Sequence, residues 1–269
     1  MKKYGTRGPS KPGKSFERDI VRLYQSGSSL KKIEEETGIP HETARTILHK
    51  RKVRMRHVHA TYHPVLKDLN YEAALLLGLH AGDGHLSDSW GISVGGNDRN
   101  MLELTISLTK SVLGVEPYIE IRPDNYWIVK SGKKQVREFF ERYGFPRGRK
   151  AGIVEAPAQV VSSKNPEVWA GFLKGAFSSD GSFWYKKNSG QCRFEVSSRS
   201  FRDSFIVLAK RLGFEFHAYS YIHRGGHNKL PLHLAYLGVK EEVGRWMEHV
   251  ESICDTHLKR YSEWKSKCF

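Results

Sequence analysis

The sequence predicts a mixed α/β (α+β) protein, an N-terminal all-α module followed by two pseudo-symmetric copies of one αββαββα unit. Three observations predict it. An apolar helix that stops at an Asp-Gly pair occurs over Tyr71 to Gly84 and recurs over Val168 to Gly181, with Asp83 and Asp180 97 residues apart. The order of strand-like and helix-like stretches behind the first pair repeats behind the second. Ahead of both, residues 1–56 hold 15 of the 44 Lys and Arg against 6 acids, so +9 of the formal +15 is concentrated there.

Residues 1–14 read as a basic, flexible arm, with five Lys or Arg among Gly5, Gly8, Pro9, Pro12 and Gly13. From Ser15 the pattern is helical: Phe16, Ile20, Leu23 and Tyr24 fall on one face and Gly27 ends it. A second helix spans Ser29 to Thr37 with Leu30 and Ile33 inward, and a third runs from Pro40 to about Arg51. This spacing over residues 15–56 resembles a helix-turn-helix DNA-binding module. The third helix then turns His41, Glu42, Thr43, Arg45 and Thr46 outward toward a major groove, with Ala44, Ile47 and Leu48 packed inward. Residues 57–69 read as a linker. Its His57, His59 and His63 lack a fourth ligand at zinc spacing.

Asn70 caps the first apolar helix, Asp83 falls in its last turn, and Gly84 is expected to end it in the left-handed conformation. Gly78 and Gly82 lie four apart on one face, which lets another backbone approach closely. Asn165 and Pro166 start the second helix, and superposing the Asp-Gly pairs puts Gly78 on Gly175, Gly82 on Ser179 and Asp83 on Asp180. The segments Leu76-Leu-Gly-Leu-His-Ala-Gly-Asp-Gly84 and Leu173-Lys-Gly-Ala-Phe-Ser-Ser-Asp-Gly181 resemble the nine-residue signature of the LAGLIDADG homing endonucleases in their single-chain, two-motif form. Lys174, Ala176 and Ser178 depart from it. The resemblance covers Asn70 to about Ser262, with repeats at 70–150 and 165–269 and a linker at 151–164. It implies that the two sheets form one DNA-binding saddle over a major groove.

In the first repeat a short strand flanks Leu86, and Trp90 to Gly95 alternates as a strand. Asn100 to Leu113 is an amphipathic helix, Tyr118–Ile121 and Tyr126–Val129 a hairpin around Pro123-Asp124-Asn125, and Lys133 to Tyr143 a helix. In the second, Phe183–Tyr185 and Arg193–Val196 are strands and Phe201–Leu212 a helix. A hairpin of Phe216–Ile222 with Leu232–Tyr236 follows, then a helix over Lys240–Ile253. Leu113-Gly114 aligns with Leu212-Gly213, and Ser131-Gly132 with Leu237-Gly238. Polar and aromatic groups enrich the outer sheet face. Candidate DNA contacts there are Trp184, Tyr185, Lys186, Lys187, Gln191, Arg193, Tyr221, His223, Arg224, His227 and Lys229.

A helix C-terminus carries negative partial charge, so an acid there needs a compensating cation. Two such ends at one helix seam make an oxygen-ligand site for Mg²⁺, with Asp83 and Asp180 as catalytic metal ligands and the carbonyls of Gly82 and Ser179 completing it. The resemblance implies a basic residue at the end of a strand before each repeat's last helix. Lys130 fits that place and Tyr236 does not. It also implies Gln or Asn after the strand that follows the motif, where the sequence has Gly95 and Ser197. The function implied is a Mg²⁺-dependent, site-specific double-strand DNA endonuclease of the homing type; a non-cleaving transcriptional regulator on the same fold is the alternative. The net charge and a pI near 9.7 point to a polyanionic partner. Two motifs in one chain make a monomer sufficient. The scattered Cys192, Cys254 and Cys268 argue for a reducing compartment, no membrane span is visible, and an intracellular, cytoplasmic location follows, with an organelle left open.

Overall fold

The computed structural model describes residues 14–53, 69–87, 91–222 and 230–268. Residues 1–61 and 62–269 form separate units. In the first, α1 (Lys14–Gln25), α2 (Leu30–Thr37) and α3 (His41–Lys50) close on a small core of Ile20, Tyr24, Ile33, Ala44, Ile47 and Leu48. The Ser29 side chain accepts from the Lys32 N–H at the start of α2, and Gly38 ends it at φ +69°. Glu17 on α1 accepts from Arg51 (2.8 Å to Nε) and Lys50 (3.3 Å), bonds that lower its pKa and tie the first helix to the end of the third. Phe16, one turn ahead of Ile20, lies beyond the end of this core and stays 40% exposed, unlike the expected inward face.

The second unit repeats one order of elements. The first copy comprises α4 (Tyr71–Asp83), β1 (Gly84–Leu86), β2 (Ile92–Gly96), α5 (Arg99–Leu113), β3 (Tyr118–Ile121), a 3-10 turn at Pro123–Asn125, β4 (Trp127–Ser131) and α6 (Lys134–Arg142). After α7 (Ala158–Ser162) come α8 (Pro166–Asp180), β5 (Gly181–Lys186), β6 (Ser189–Val196), α9 (Arg199–Arg211), β7 (His217–Tyr221), β8 (Leu232–Leu237), α10 (Lys240–His249) and α11 (Asp255–Cys268). The two antiparallel sheets have orders β1-β2-β4-β3 and β5-β6-β8-β7, the same path twice. Gly114 ends α5 at φ +62° and Gly213 follows α9 at φ +83°, which is why the two Leu-Gly pairs align.

One continuous core joins both copies. Its axis is α4, in which every residue from Ala73 to Ala81 is buried; a helix apolar on all sides must be covered on all sides. The sheets cover it through alternate residues, Ile92 and Val94 on β2 opposite Val129 on β4, and Cys192, Phe194 and Val196 on β6 opposite Ala235 and Leu237.

The sequence reading missed two helices. The stretch 151–164 contains α7 and contributes buried Val154, Ala156 and Val160. Helix α11 buries His257, Tyr261 and Trp264 at spacings of four and three, Tyr261 and Trp264 meeting the Phe183 ring edge-on at 5.7 Å. Among the described residues no helix is long and apolar enough to cross a membrane, and the three cysteines are free.

Candidate active site

Helices α4 and α8 meet backbone to backbone because glycines line the crossing. A Cβ on Gly78 would lie 2.2 Å from the Phe172 carbonyl oxygen, and one on Gly175 would lie 2.4 Å from that of Leu75. Gly171 meets the Tyr71 carbonyl in the same way, at 2.5 Å. The expected interface residues Gly78 and Gly175 therefore face one another. Gly84 departs from expectation: its backbone is extended, φ −77° and ψ 155°, as is that of Gly181, φ −83° and ψ 171°. Each is the first residue of a strand, and glycine is needed for space. A Cβ on Gly84 would strike the His80 ring at 2.2 Å, and one on Gly181 the Phe177 carbonyl at 2.2 Å.

This crossing brings the two helix ends together. The Asp180 Oδ2 lies 3.1 Å from where a Cβ on Gly82 would stand, and Ser179, the counterpart of Gly82, packs its own Cβ against the same point. Desolvation at the seam, then the Asp180 charge, push Asp83 up to about 7, although its outer side remains open to solvent. Desolvation likewise pushes Asp180 up to about 6. Each acid borders a cavity between its helix end and one sheet. That beside Asp180, about 200 Å³, reaches Glu195, Ser197 and Ser198; that beside Asp83, about 180 Å³, reaches Gly95, Asn97 and Asp98.

The cation acting on both acids is Lys150, which sequence reasoning missed. Its ammonium donates to the carbonyls of His80 (3.0 Å), Ala81 and Gly82, and its charge opposes the upward shift of both carboxylates. Desolvation in turn brings Lys150 down to about 8. Lys130, the expected basic partner, instead donates to Glu120 across the β3–β4 pair, a bond that lowers the Glu120 pKa. Lys150 sits alone in the loop after α6, in a Gly-Arg-Lys run with no periodicity, so only its place in space marks it.

His80 is fully buried on the opposite side of α4, 4.0 Å from the Phe140 ring centroid and edge-on to Phe145. Neither ring nitrogen has a partner among the described residues, and burial holds its pKa well below the usual value. His80→Phe keeps the stacking and removes two unpaired polar atoms. It is expected to stabilise this unit by about 1 kcal/mol or more, read as a rise in Tm.

With this geometry, comparison with known proteins is specific. Residues 167–255 match the family described as a LAGLIDADG-like domain, and the first copy follows the same strand order and helix-end acid. The second copy therefore carries a LAGLIDADG-like domain. A structure of mesophilic variants of the homing endonuclease I-DmoI is similar over 73% of this chain and 98% of that one, with a TM-score of 0.50 and 13% identity. Full-length DUF199/WhiA from Thermatoga maritima is similar over 76% of this chain and 62% of its own, with a TM-score of 0.50 and 12% identity. An A-type ATP synthase subunit from Pyrococcus abyssi is 27% identical over 145 residues, 54% of this chain but 14% of that protein's length. At these identities the solved structures establish the fold.

The LAGLIDADG register corrects one alignment. Gly84 pairs with Val94 and Gly181 with Phe194, so the counterpart of Gly95 is Glu195 and that of Ser197 is Asn97. The first copy thus has an Asn after its strand, and the offset grows from 97 to 100 because the β5–β6 hairpin is three residues longer.

On the second sheet, Trp184 and Gln191 are directly opposed, and Arg193 lies 5.0 Å over the Trp184 ring while its Nε donates to Gln191 (2.6 Å). Lys186 and Lys187 occupy the exposed hairpin end, Lys187 at φ +53°. The Tyr221 hydroxyl donates to Glu195 (2.6 Å), which raises its pKa. Tyr185 is a correction: strand alternation turns it to the other face, where its hydroxyl donates to Glu263 on α11 (2.8 Å) and Lys267 lies over its ring. The outer face gains Tyr219, 58% exposed and stacked with Tyr221 at 5.9 Å, and Tyr236, which meets His217 at 5.3 Å. His223, Arg224, His227 and Lys229 lie outside the described residues, as do residues 1–13, 54–68 and Trp90.

On α3, His41, Thr43, Arg45 and Thr46 are all exposed. His41 Nδ1 is 2.8 Å from Glu34, Arg45 donates to Glu42 (3.4 Å), and the Thr46 hydroxyl donates to the Glu42 carbonyl (2.9 Å). The Arg45–Glu42 contact is solvent-exposed and weak.

Proposed function

We propose that this chain is a divalent-cation-dependent, site-specific endonuclease of the homing type that cuts both strands of DNA as a monomer. The observation that carries this reading is the meeting of two helix-end carboxylates, Asp83 and Asp180, at the α4–α8 seam. The donor set fits a hard cation such as Mg²⁺: both carboxylates, with the carbonyls of Gly82 and Ser179 at helix ends, are oxygen ligands. Both acids are raised chiefly by desolvation, so a bound cation would offset the cost of burying their charge. Among the described residues no cluster of three or more His, Cys, Asp or Glu forms a metal site, so the remaining ligands would come from carbonyls, water and the phosphate. A bound Mg²⁺ would polarise the scissile phosphate and acidify a water.

Each acid serves one strand in this reading. The water oxygen bonds to phosphorus as the phosphorus bond to the leaving sugar oxygen breaks, and that oxygen takes up a proton. The sheet faces supply the contacts: Arg193 and Trp184 pair a cation with an aromatic plane, and Lys186 and Lys187 reach phosphates from the hairpin end. I-DmoI, a homing endonuclease by name, supports the reading through its shared fold. The test is incubation with a randomised duplex library and Mg²⁺, then sequencing of broken ends against bound, unbroken molecules. Recurrent broken sites support cleavage; enrichment of bound molecules with random breakage overturns it. The second outcome belongs to a non-cleaving regulator, a reading favoured by Lys150 on the Gly82 carbonyl and by Tyr236 in the second copy at the place Lys130 holds in the first.

The N-terminal unit extends the target through α3 and its basic flanks. Deleting residues 1–56 is expected to weaken DNA binding and flatten the dependence of log K on log salt, by about 0.9 for each phosphate no longer neutralised. A salt titration by fluorescence anisotropy measures it. An unchanged slope rules out contact by this unit.

A further inference from the structure

We propose that Lys150 is a built-in counter-cation. Its ammonium takes the place at the end of α4 that a divalent ion would share, so that the ion loads beside Gly82 and Asp180 only by displacing it. This inference rests on the metal-dependent reading above and deepens it. An ammonium has three donors and no acceptor. Here it donates to the carbonyls of three consecutive residues, His80, Ala81 and Gly82, so no proton is left to direct at a substrate. Gly82 also lines the cavity beside Asp180, so its carbonyl is one that a metal there would use.

The placement is built by the backbone. The Gly148 N–H donates to the Leu86 carbonyl at 2.7 Å, and the N–H groups of Ile153 and Val154 donate to the Lys150 carbonyl at 3.0 Å. The loop is thereby fixed on both sides of Lys150, and its side chain is part-buried along the cavity wall beside Asp180. Helix ends repel acids and attract cations, so three carbonyls with two carboxylates nearby form the most cation-seeking point of the seam. The end of α8 is covered differently. Ser178 accepts from the Ile253 N–H at 3.0 Å, and α11 supplies His257, whose Nδ1 is 2.8 Å from the Ser252 hydroxyl. The two half-sites are thus unequal: an entering ion must evict an ammonium in the cavity that Gly82 and Asp180 line, and none among the described residues in the cavity that Asp83 and Ser179 line.

The test uses the full chain without DNA and Mn²⁺ as the probe, free Mn²⁺ being read by electron paramagnetic resonance. Lys150→Met is expected to bind Mn²⁺ roughly tenfold tighter or more, since each ~1.4 kcal/mol of displacement cost removed is one decade. In EDTA it should melt lower than the parent, and Mn²⁺ should restore the loss. Equal or weaker Mn²⁺ binding by a folded Lys150→Met overturns the inference and leaves the endonuclease reading standing. Binding by neither protein overturns the metal-dependent reading, and this inference with it. A second measurement needs no variant: acetylation of Lys150 in the parent, read by mass spectrometry, should rise several-fold on adding Mg²⁺ while Lys130 and Lys174 are unchanged. Unchanged acetylation of Lys150 in a protein that binds Mg²⁺ overturns the displacement.

Discussion

Asp83→Asn and Asp180→Asn are each expected to abolish the proposed double-strand cleavage, leaving at most nicking, while DNA affinity stays within a few-fold of the parent. Asparagine keeps the shape and removes the charge. An ion held at a carboxylate contributes several kcal/mol to the developing phosphoryl charge, so loss of one acid lowers the rate at its strand by on the order of 10³-fold. In the proposed reading binding is spread over the sheet faces and the basic N-terminal segments and does not pass through these acids. Supercoiled, nicked and linear plasmid forms separate the outcomes on one gel, and normal linearisation by both variants defeats the site assignment.

The same substitutions have a second, opposite effect on stability. Asp83 at about 7 and Asp180 at about 6 bind protons more tightly folded than unfolded. Their contribution is favourable near the unfolded value of about 3.9 and is lost as pH rises through 6 and 7. Lys150 at about 8 runs the other way, its contribution full only above its unfolded value and lost as pH falls through 8. In EDTA at pH 8 either Asp→Asn variant is therefore expected to melt higher than the parent, with the gap closing at pH 5. Mg²⁺ should raise the Tm of the parent at pH 8 and not that of the double variant. A parent that melts equally in EDTA and Mg²⁺ at pH 8 contradicts the carboxylate site.

What the sequence made legible follows from how local each signal is. The motif helices, their caps and the glycine crossing were readable because apolar content, Asn70, Asn165 and the small residues are features of single segments. The repeat followed from Asp-Gly recurring at domain spacing. Gly84 was read as a left-handed cap, the commonest use of glycine after a helix, whereas it serves to pass the His80 ring, which no local pattern encodes. Tyr185 was one residue out of phase, and in a strand that exchanges one face for the other. Helix α11 escaped because only His257, Tyr261 and Trp264 mark its inner face among three lysines, two serines and one glutamate. Lys150 was invisible for a deeper reason: its role depends on a loop crossing the end of a helix about seventy residues earlier in the chain, a relation that only folding creates.

The glycine crossing gives the largest expected effect on stability. At an ordinary helix position Gly→Ala stabilises by about 1 kcal/mol. At Gly78 the sign should reverse, because the new Cβ would lie 2.2 Å from the Phe172 carbonyl oxygen and 2.9 Å from the Ala176 nitrogen. Both are backbone atoms and cannot rotate away, so the helices must separate by about 1 Å, loosening the close packing that native interiors require. Gly78→Ala is expected to destabilise this unit by about 3 kcal/mol or more, at the upper end of overpacking costs, and Gly78→Val to prevent folding. Gly96→Ala is the control, since a Cβ there meets nothing within 4 Å. All six tryptophans, residues 90, 127, 169, 184, 246 and 264, lie in the second unit, so urea unfolding followed by tryptophan fluorescence reports on that unit alone. Should Gly78→Ala unfold at the same urea concentration as the parent, the helices do not cross at Gly78. The two acids would then lack the crossing that holds them together, and cleavage by a paired site would lose its structural basis.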